Sequence, residues 1–110
     1  MNRVVAYIGK GNSARIQLLE KGRPVQPGVV ERCKLVFGDW CLDTDNEDHP
    51  AQLVEAGRAM DVQIGLVPGI KKGSYQGFLT VYDAETSDVG LAWGELVVLV
   101  DTWQSCKVAQ

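Results

Sequence analysis

The stretch that decides the fold is KKGSYQGFLTVYDAE, residues 71–85. A basic turn ends at Gly73, and residues 76–82 are rich in the β-branched and aromatic side chains that favour strands. Tyr75 comes directly after the turn, at the start of this strand. That is the position of a corner tyrosine, whose ring packs on the edge of the core while its hydroxyl reaches a backbone group. We therefore predict a strand that ends at Asp83, with Tyr75 in a structural role.

Working outward, most of the chain shows short apolar alternation interrupted by turns. Residues 29–37 predict one buried face made of Val29, Cys33, Leu35 and Phe37. Residues 60–66 predict another, made of Met60, Val62, Ile64 and Leu66. Residues 91–100 form a long apolar strand in which Gly94 predicts a bulge. Seven to eight short strands separated by regular turn signals favour an all-β, antiparallel β-sandwich, with a small barrel as the alternative.

The two ends of the chain supply the interface candidates. We predict that the 110 residues form one domain, with a short N-terminal strand at residues 3–8 and a C-terminal tail at residues 101–110. Trp103 lies outside the strand pattern, and tryptophan is enriched at binding hot spots. We therefore predict a protein interface at Arg3, Val5, Tyr7 and Trp103. Trp40, on a middle strand, is instead predicted to be a structural core aromatic between the sheets.

Composition and charge exclude several classes of partner and compartment. The net charge is −3 and the eleven basic residues are scattered, which argues against nucleic-acid binding. The longest apolar run, residues 96–100, is far too short to span a bilayer, so no membrane partner is predicted. The N-terminus lacks the apolar core of a secretory signal, which predicts synthesis in a reducing cytoplasm, followed by retention there or by release through a route other than secretion. Cys33, Cys41 and Cys106 form no C-x-x-C pair, and we predict that Cys33 and Cys41 are buried reduced thiols.

The acidic loop, residues 43–50, is the most polar stretch of the chain, and we interpret it as a solvated hairpin loop because its match to a metal-binding pattern is incomplete. Its first half loosely matches a calcium-binding EF-hand loop through Asp43, Asp45 and Glu47. However, Asp48 stands where that loop requires glycine, and Val54 stands where it requires glutamate. His49, the single histidine, has no recognisable nucleophile signature to serve and is interpreted as a surface residue. We therefore predict no catalytic residue, no cofactor and no metal.

The order of the elements resembles a known group of domains. The segments that carry the resemblance are KGRPVQPGVVERCKLVF, MDVQIGL, KKGSYQGFLTVYDAE and GELVVLV, within residues 13–100. In spacing and turns they resemble the immunoglobulin-like sandwich domains of tailed bacteriophages, such as the N-terminal domain of baseplate upper proteins and small stand-alone virion proteins. The N-terminal strand, the tryptophan-containing tail and residues 51–59 depart from that pattern. The resemblance implies no catalytic residues.

The function that this resemblance implies is structural. It implies a non-enzymatic virion component for capsid decoration, neck or tail and baseplate, made in the host cytoplasm and released by lysis. Its partners are other virion proteins, in a homo-oligomer or a lattice where symmetry multiplies weak contacts. One alternative is a carbohydrate-binding module with Trp93 or Trp103 on an exposed flat face. Another is an inhibitor of a host enzyme that binds through residues 43–48 of the acidic loop.

Overall fold

The computed structural model describes residues 2–104 and confirms an all-β fold. Within that range there are ten strands and two single-turn 3₁₀ helices, Glu55–Gly57 and Ile64–Leu66. The strands are β1 Asn2–Tyr7, β2 Ala14–Gln17, β3 Leu19–Glu20, β4 Arg23–Pro24, β5 Arg32–Phe37, β6 Trp40–Asp43, β7 Ala51–Val54, β8 Ala59–Val62, β9 Gly73–Tyr82 and β10 Leu91–Asp101. The expected count of seven to eight is exceeded because β3 and β4 form an additional two-stranded hairpin.

The strands form two main sheets that share one buried core. The larger sheet has the order β1-β10-β9-β5-β6, and the smaller has the order β2-β8-β7. All pairings are antiparallel except that of β1 with β10, the first and last strands of residues 2–104. Ile16, Met60 and Val62 of the smaller sheet belong to the same buried cluster as Leu35 and Val98 of the larger one. Burial of these apolar side chains is the main favourable term holding the sheets together.

Strict alternation explains the strands that were predicted best. Along β5, the side chains of Cys33, Leu35 and Phe37 are fully buried, and those between them are half-buried. The predicted strand before Asp83 is β9, which ends at Tyr82. The predicted bulge is also present, because the register of β10 against β9 shifts between Ala92 and Gly94.

Two residues predicted to be buried are exposed because the strand does not extend to them. Val29 is 48% exposed, and Val30 is buried in its place, since residues 27–29 form a turn and β5 begins only at Arg32. Leu66 is 46% exposed because β8 ends at Val62. The following 3₁₀ helix, with about three residues per turn, takes Leu66 out of the two-residue alternation that buries Ile64.

The prediction of two buried thiols is correct for one cysteine and wrong for the other. Cys33 is fully buried, and burial raises the pKa of its thiol to about 12. Cys41 is exposed because it stands opposite Val36, on the face of the larger sheet that points away from the core. Both thiols are free. Cys106 lies outside the described residues.

Candidate functional site

The predicted interface residues of the N-terminus lie on one face of β1. Val4 and Ala6 are buried, so the two-residue period turns Arg3, Val5 and Tyr7 to the opposite face. Arg3 and Val5 are exposed, and Tyr7 is half-buried. Since β1 is the outermost strand of the larger sheet, these side chains lie at a sheet edge.

The structure brings the C-terminal interface candidate to the same edge. Parallel pairing places Tyr7 opposite Asp101, where β10 ends. The ring of Trp103 then meets the ring of Tyr7 edge to face, with centroids 4.9 Å apart and an interplanar angle of 74°. Trp103 remains 58% exposed. Arg3, Val5, Tyr7 and Trp103 together form what we call the edge patch.

Gly65 supports the end of β1 next to this patch. The backbone N–H of Gly9 donates a hydrogen bond to the carbonyl oxygen of Gly65, at 2.8 Å. A Cβ at Gly65 would lie 2.1 Å from the carbonyl oxygen of Tyr7 and 2.6 Å from that of Lys10. Both are closer than any real Cβ contact, so only glycine fits here without moving the backbone. The end of β1 is therefore seated directly on the 3₁₀ helix Ile64–Leu66.

Tyr75 and Trp40, the predicted structural aromatics, lie together near the turn between β5 and β6. The Tyr75 hydroxyl donates a hydrogen bond to the backbone carbonyl oxygen of Lys71, at 2.7 Å, which is the geometry of a corner tyrosine. Its ring packs against those of Phe37 and Trp40, with centroids 6.0 Å and 5.4 Å away. The fully buried member of this cluster is Phe37, whereas Trp40 is only half-buried. The central core aromatic is therefore Phe37, because Trp40 begins β6 beside an exposed turn.

The acidic loop is organised by its own hydrogen bonds. Arg32 Nε donates to Asp43 Oδ1 at 2.9 Å, and this ion pair lowers the pKa of Asp43. The backbone N–H of Asp43 donates to His49 Nδ1 at 3.0 Å. His49 is half-buried and holds the two ends of the loop together, so its interpretation as a plain surface residue is wrong. The sequence carries no signal for this bond, because it depends on the shape of the loop.

A polar cleft of about 590 Å³ lies between this loop and the smaller sheet, and Ser13, His49 and Asp61 all contribute to its walls. These three residues do not form a catalytic triad. The carboxylate of Asp61 accepts two hydrogen bonds from Arg15, at 2.8 Å and 3.0 Å, so both of its oxygens are paired with the guanidinium. His49 Nδ1 already accepts the N–H of Asp43. Across residues 2–104, no group of three or more His, Cys, Asp or Glu side chains is placed to hold a metal ion.

The three tryptophans have different neighbours and do not form a common platform. Trp40 packs against Phe37 and Tyr75, and Trp103 packs against Tyr7. Trp93 stands at the bulge of β10, half-buried, and lines two clefts. Of the three, Trp103 alone has more than half of its surface exposed. A ligand that binds at one site through a tryptophan would therefore contact one of these three residues and not several together.

No protein-family model, curated protein or solved structure gives a significant match to this chain. In the part of the chain that the structure describes, no helix has the length and apolar character needed to cross a membrane.

Proposed function

We propose that this chain is an immunoglobulin-like structural domain of a tailed bacteriophage virion, which acts by protein–protein association through the edge patch. The observation that carries the proposal is the meeting of the two chain ends. Arg3, Val5 and Tyr7 from β1 share one exposed edge with Trp103, and Tyr7 touches Trp103. Arg, Tyr and Trp are the residue types most enriched at binding hot spots.

The sheet order supports an immunoglobulin-like assignment. In constant-type domains the strands C, F and G form one sheet, and B, E and D lie together in the other. Here β5, β9 and β10 are adjacent in the order expected for C, F and G, and β2-β8-β7 matches B-E-D. The additional strand β6 beside β5 matches the strand that variable-type domains add next to C. The Tyr75 hydrogen bond near the start of β9 matches the corner tyrosine of strand F.

The physical basis of docking is the exposed edge together with its side chains. An edge strand presents unpaired backbone N–H and C=O groups that another chain can pair with. The Trp103 ring adds apolar area that is 58% exposed in the monomer and becomes buried on contact. On a repeating particle surface, many such contacts act together, so each one needs only modest affinity.

The test is co-sedimentation of the chain with phage particles banded from a lysate of the source. We expect the wild-type chain to travel with particles at fixed stoichiometry and Trp103→Ala to remain at the top of the gradient. Val89→Ala is the matched control: Val89 is 79% exposed and lies just before the start of β10, whereas Trp103 follows its end. Circular dichroism should show all three chains equally folded. A Trp103→Ala chain that binds particles as well as wild type would remove the edge patch from the proposal.

A carbohydrate-binding module is the second candidate, and the exposure of Trp103 favours it. Sugar binding predicts saturable quenching of tryptophan fluorescence by oligosaccharides, lost in Trp103→Ala. If oligosaccharides quench the fluorescence and the chain does not bind particles, carbohydrate binding replaces virion association as the proposed function. If the chain binds particles and oligosaccharides leave its fluorescence unchanged, association stands alone.

A further inference from the structure

The long strand β10 has a neighbour on both sides along only half of its length. β1 pairs with residues 96–101 of β10, while β9 pairs with nearly all of it. We call residues 91–95 the open half. Within residues 2–104, no strand lies beside the open half on the side that β1 occupies farther along. Its outer backbone groups therefore present a short free edge, separate from the edge patch.

A groove follows this free edge, and its walls combine apolar side chains with polar surface. It consists of two clefts of about 360 Å³ and 150 Å³, and Trp93 lines both. Leu19, Val29 and Leu91 are among its lining residues and are 46%, 48% and 39% exposed. We call these two clefts together the open groove. Large apolar side chains that are exposed along one groove are typical of a docking surface.

The charge of the open groove has one sign. Glu20, Asp83 and Glu95 line it, and no lysine or arginine of the described residues does. Asp83 accepts hydrogen bonds from the hydroxyl and N–H of Thr86 at 2.7 Å and 2.8 Å, which lower its pKa and keep it ionised. Arg23 is the cross-strand partner of Glu20, and the Glu95 carboxylate accepts a hydrogen bond from Gln76 at 2.9 Å, but neither Arg23 nor Gln76 lines the groove. Among the described residues, the groove lining therefore carries carboxylates and no cation.

We propose that the open groove binds an extended, apolar and basic segment of a partner protein as an added strand beside the open half of β10. The backbone of the segment pairs with the free edge, which is the general mode of strand addition. An apolar side chain of the segment packs against Trp93 and Leu91. Its lysine or arginine side chains lie near Glu20, Asp83 and Glu95. This surface is additional to the edge patch and does not depend on the proposed virion role.

Charge complementarity favours a different protein over a second copy of this chain as the occupant. In a two-fold symmetric dimer the same surface meets itself, so the carboxylates of one copy would face those of the other. Like charges placed opposite each other across paired strands are destabilising. The whole chain also carries a net charge of −3, which opposes self-association and favours a basic partner.

The experiment uses two end-blocked nine-residue peptides as probes, one of alternating lysine and valine and one of alternating glutamate and valine. We expect saturable binding of the lysine peptide in calorimetry and none of the glutamate peptide. Binding should slow amide hydrogen exchange in residues 91–95 and leave residues 2–7 unchanged. Absence of lysine-peptide binding, equal binding of both peptides, or protection confined to β1 would each overturn the proposal.

A matched pair of variants locates the site. Leu91→Lys places a charged ammonium group in the groove. We expect it to weaken binding of the lysine peptide about tenfold. Val89→Lys makes the same change two residues away, at a side chain that is 79% exposed and does not line the groove. The affinity of the Val89→Lys chain for the lysine peptide should differ from that of wild type by less than about twofold, since exposed charges are strongly screened. If both variants weakened peptide binding equally, the loss would be due to net charge alone, and the groove would not be the binding site. Fluorescence quenching by maltohexaose that Leu91→Lys abolishes would assign the groove to a sugar instead.

Discussion

The two halves of β10 belong to one strand and yet differ in what covers them. Residues 96–100 lie between β1 and β9, and Leu96, Val98 and Val100 are buried there. Of the strands within residues 2–104, β9 alone lies beside residues 91–95; Leu91 is exposed, and the strand bulges at Trp93. The same strand is therefore an interior element at one end and an edge at the other.

This difference shows that position along a sheet, not strand composition, decides whether an apolar residue is core or surface. Both halves contain leucine, and a tryptophan stands in the open one. The covered half is core because β1 pairs along it and turns its own Val4 and Ala6 inward. Bulges and carboxylates are common ways in which proteins protect free edges from aggregation. The open half has both, a bulge at Trp93 and a carboxylate at Glu95.

The largest expected effect comes from removing the support of β1. Gly65→Ala places a Cβ 2.1 Å from the carbonyl oxygen of Tyr7, so the backbone must move and β1 must loosen. We expect the free energy of unfolding to fall by about 3 kcal/mol in urea denaturation. Gly94→Ala in the open half is the control, because its Cβ would meet nothing within 4 Å. Its stability should stay within about 1 kcal/mol of wild type. Similar losses in both variants would mean that β1 is not rigidly seated.

The next effect compares truncation of one apolar residue in each half. Val98 is fully buried opposite Val4, so Val98→Ala leaves a cavity and should cost about 2 kcal/mol. Leu91 is 39% exposed, and Leu91→Ala should cost less than about 1 kcal/mol although it removes more atoms. Chemical denaturation of the two variants at neutral pH measures both values. A larger loss for Leu91→Ala would show that the open half is covered in solution.

The smallest effect concerns the turn that leads into the open half. Hydrogen bonds from Thr86 and Glu85 lower the pKa of Asp83 below its ordinary value of 3.8. The ionised carboxylate therefore stabilises the fold above that pH, and the contribution disappears as pH falls through the lowered pKa. We expect Asp83→Asn to be slightly less stable than wild type at pH 7, with the difference vanishing as the solution is acidified below 3.8.

Asp88→Asn, in the same turn, is the control for this pH dependence. It removes the same unit of charge, and Asp88 is exposed. Urea unfolding of the three chains across the acid range should show a pH-dependent difference from wild type only for Asp83→Asn. The same dependence in Asp88→Asn would assign the effect to net charge and not to the hydrogen bonds of Asp83.

Strands with uninterrupted alternation were predictable, and strand ends were not. The patterns around Cys33, Leu35 and Phe37 and around residues 76–82 identified β5 and most of β9, because each buries one face along its whole length. Val29 and Leu66 continue patterns of apolar alternation and are nevertheless exposed. Val29 lies in a turn and Leu66 lies in a 3₁₀ helix, so neither residue belongs to the strand whose alternation it continues. The interruption depends on backbone hydrogen bonds that side-chain periodicity does not encode.

The candidate site was only partly predictable, and the reason is distance along the chain. Arg3, Val5, Tyr7 and Trp103 could each be selected by residue type and position, but nothing in the sequence indicated that Tyr7 and Trp103 touch. The ion pairs of Arg15 with Asp61 and Glu55 join residues about forty or more positions apart, and they were missed for the same reason. Contacts of this kind exist only after the sheets have formed.

The order of amino acids alone specified an all-β domain, the positions of its main strands and the bulge at Gly94. Those features are local, since each follows from which side chains can share one face of a pleated strand or fit a turn. Tertiary structure alone decided that β1 pairs in parallel with β10, that it covers only half of that strand, and that Cys41 points outward. Strand order and register arise from packing of the whole core, because a pairing between the two chain ends has no local sequence signal.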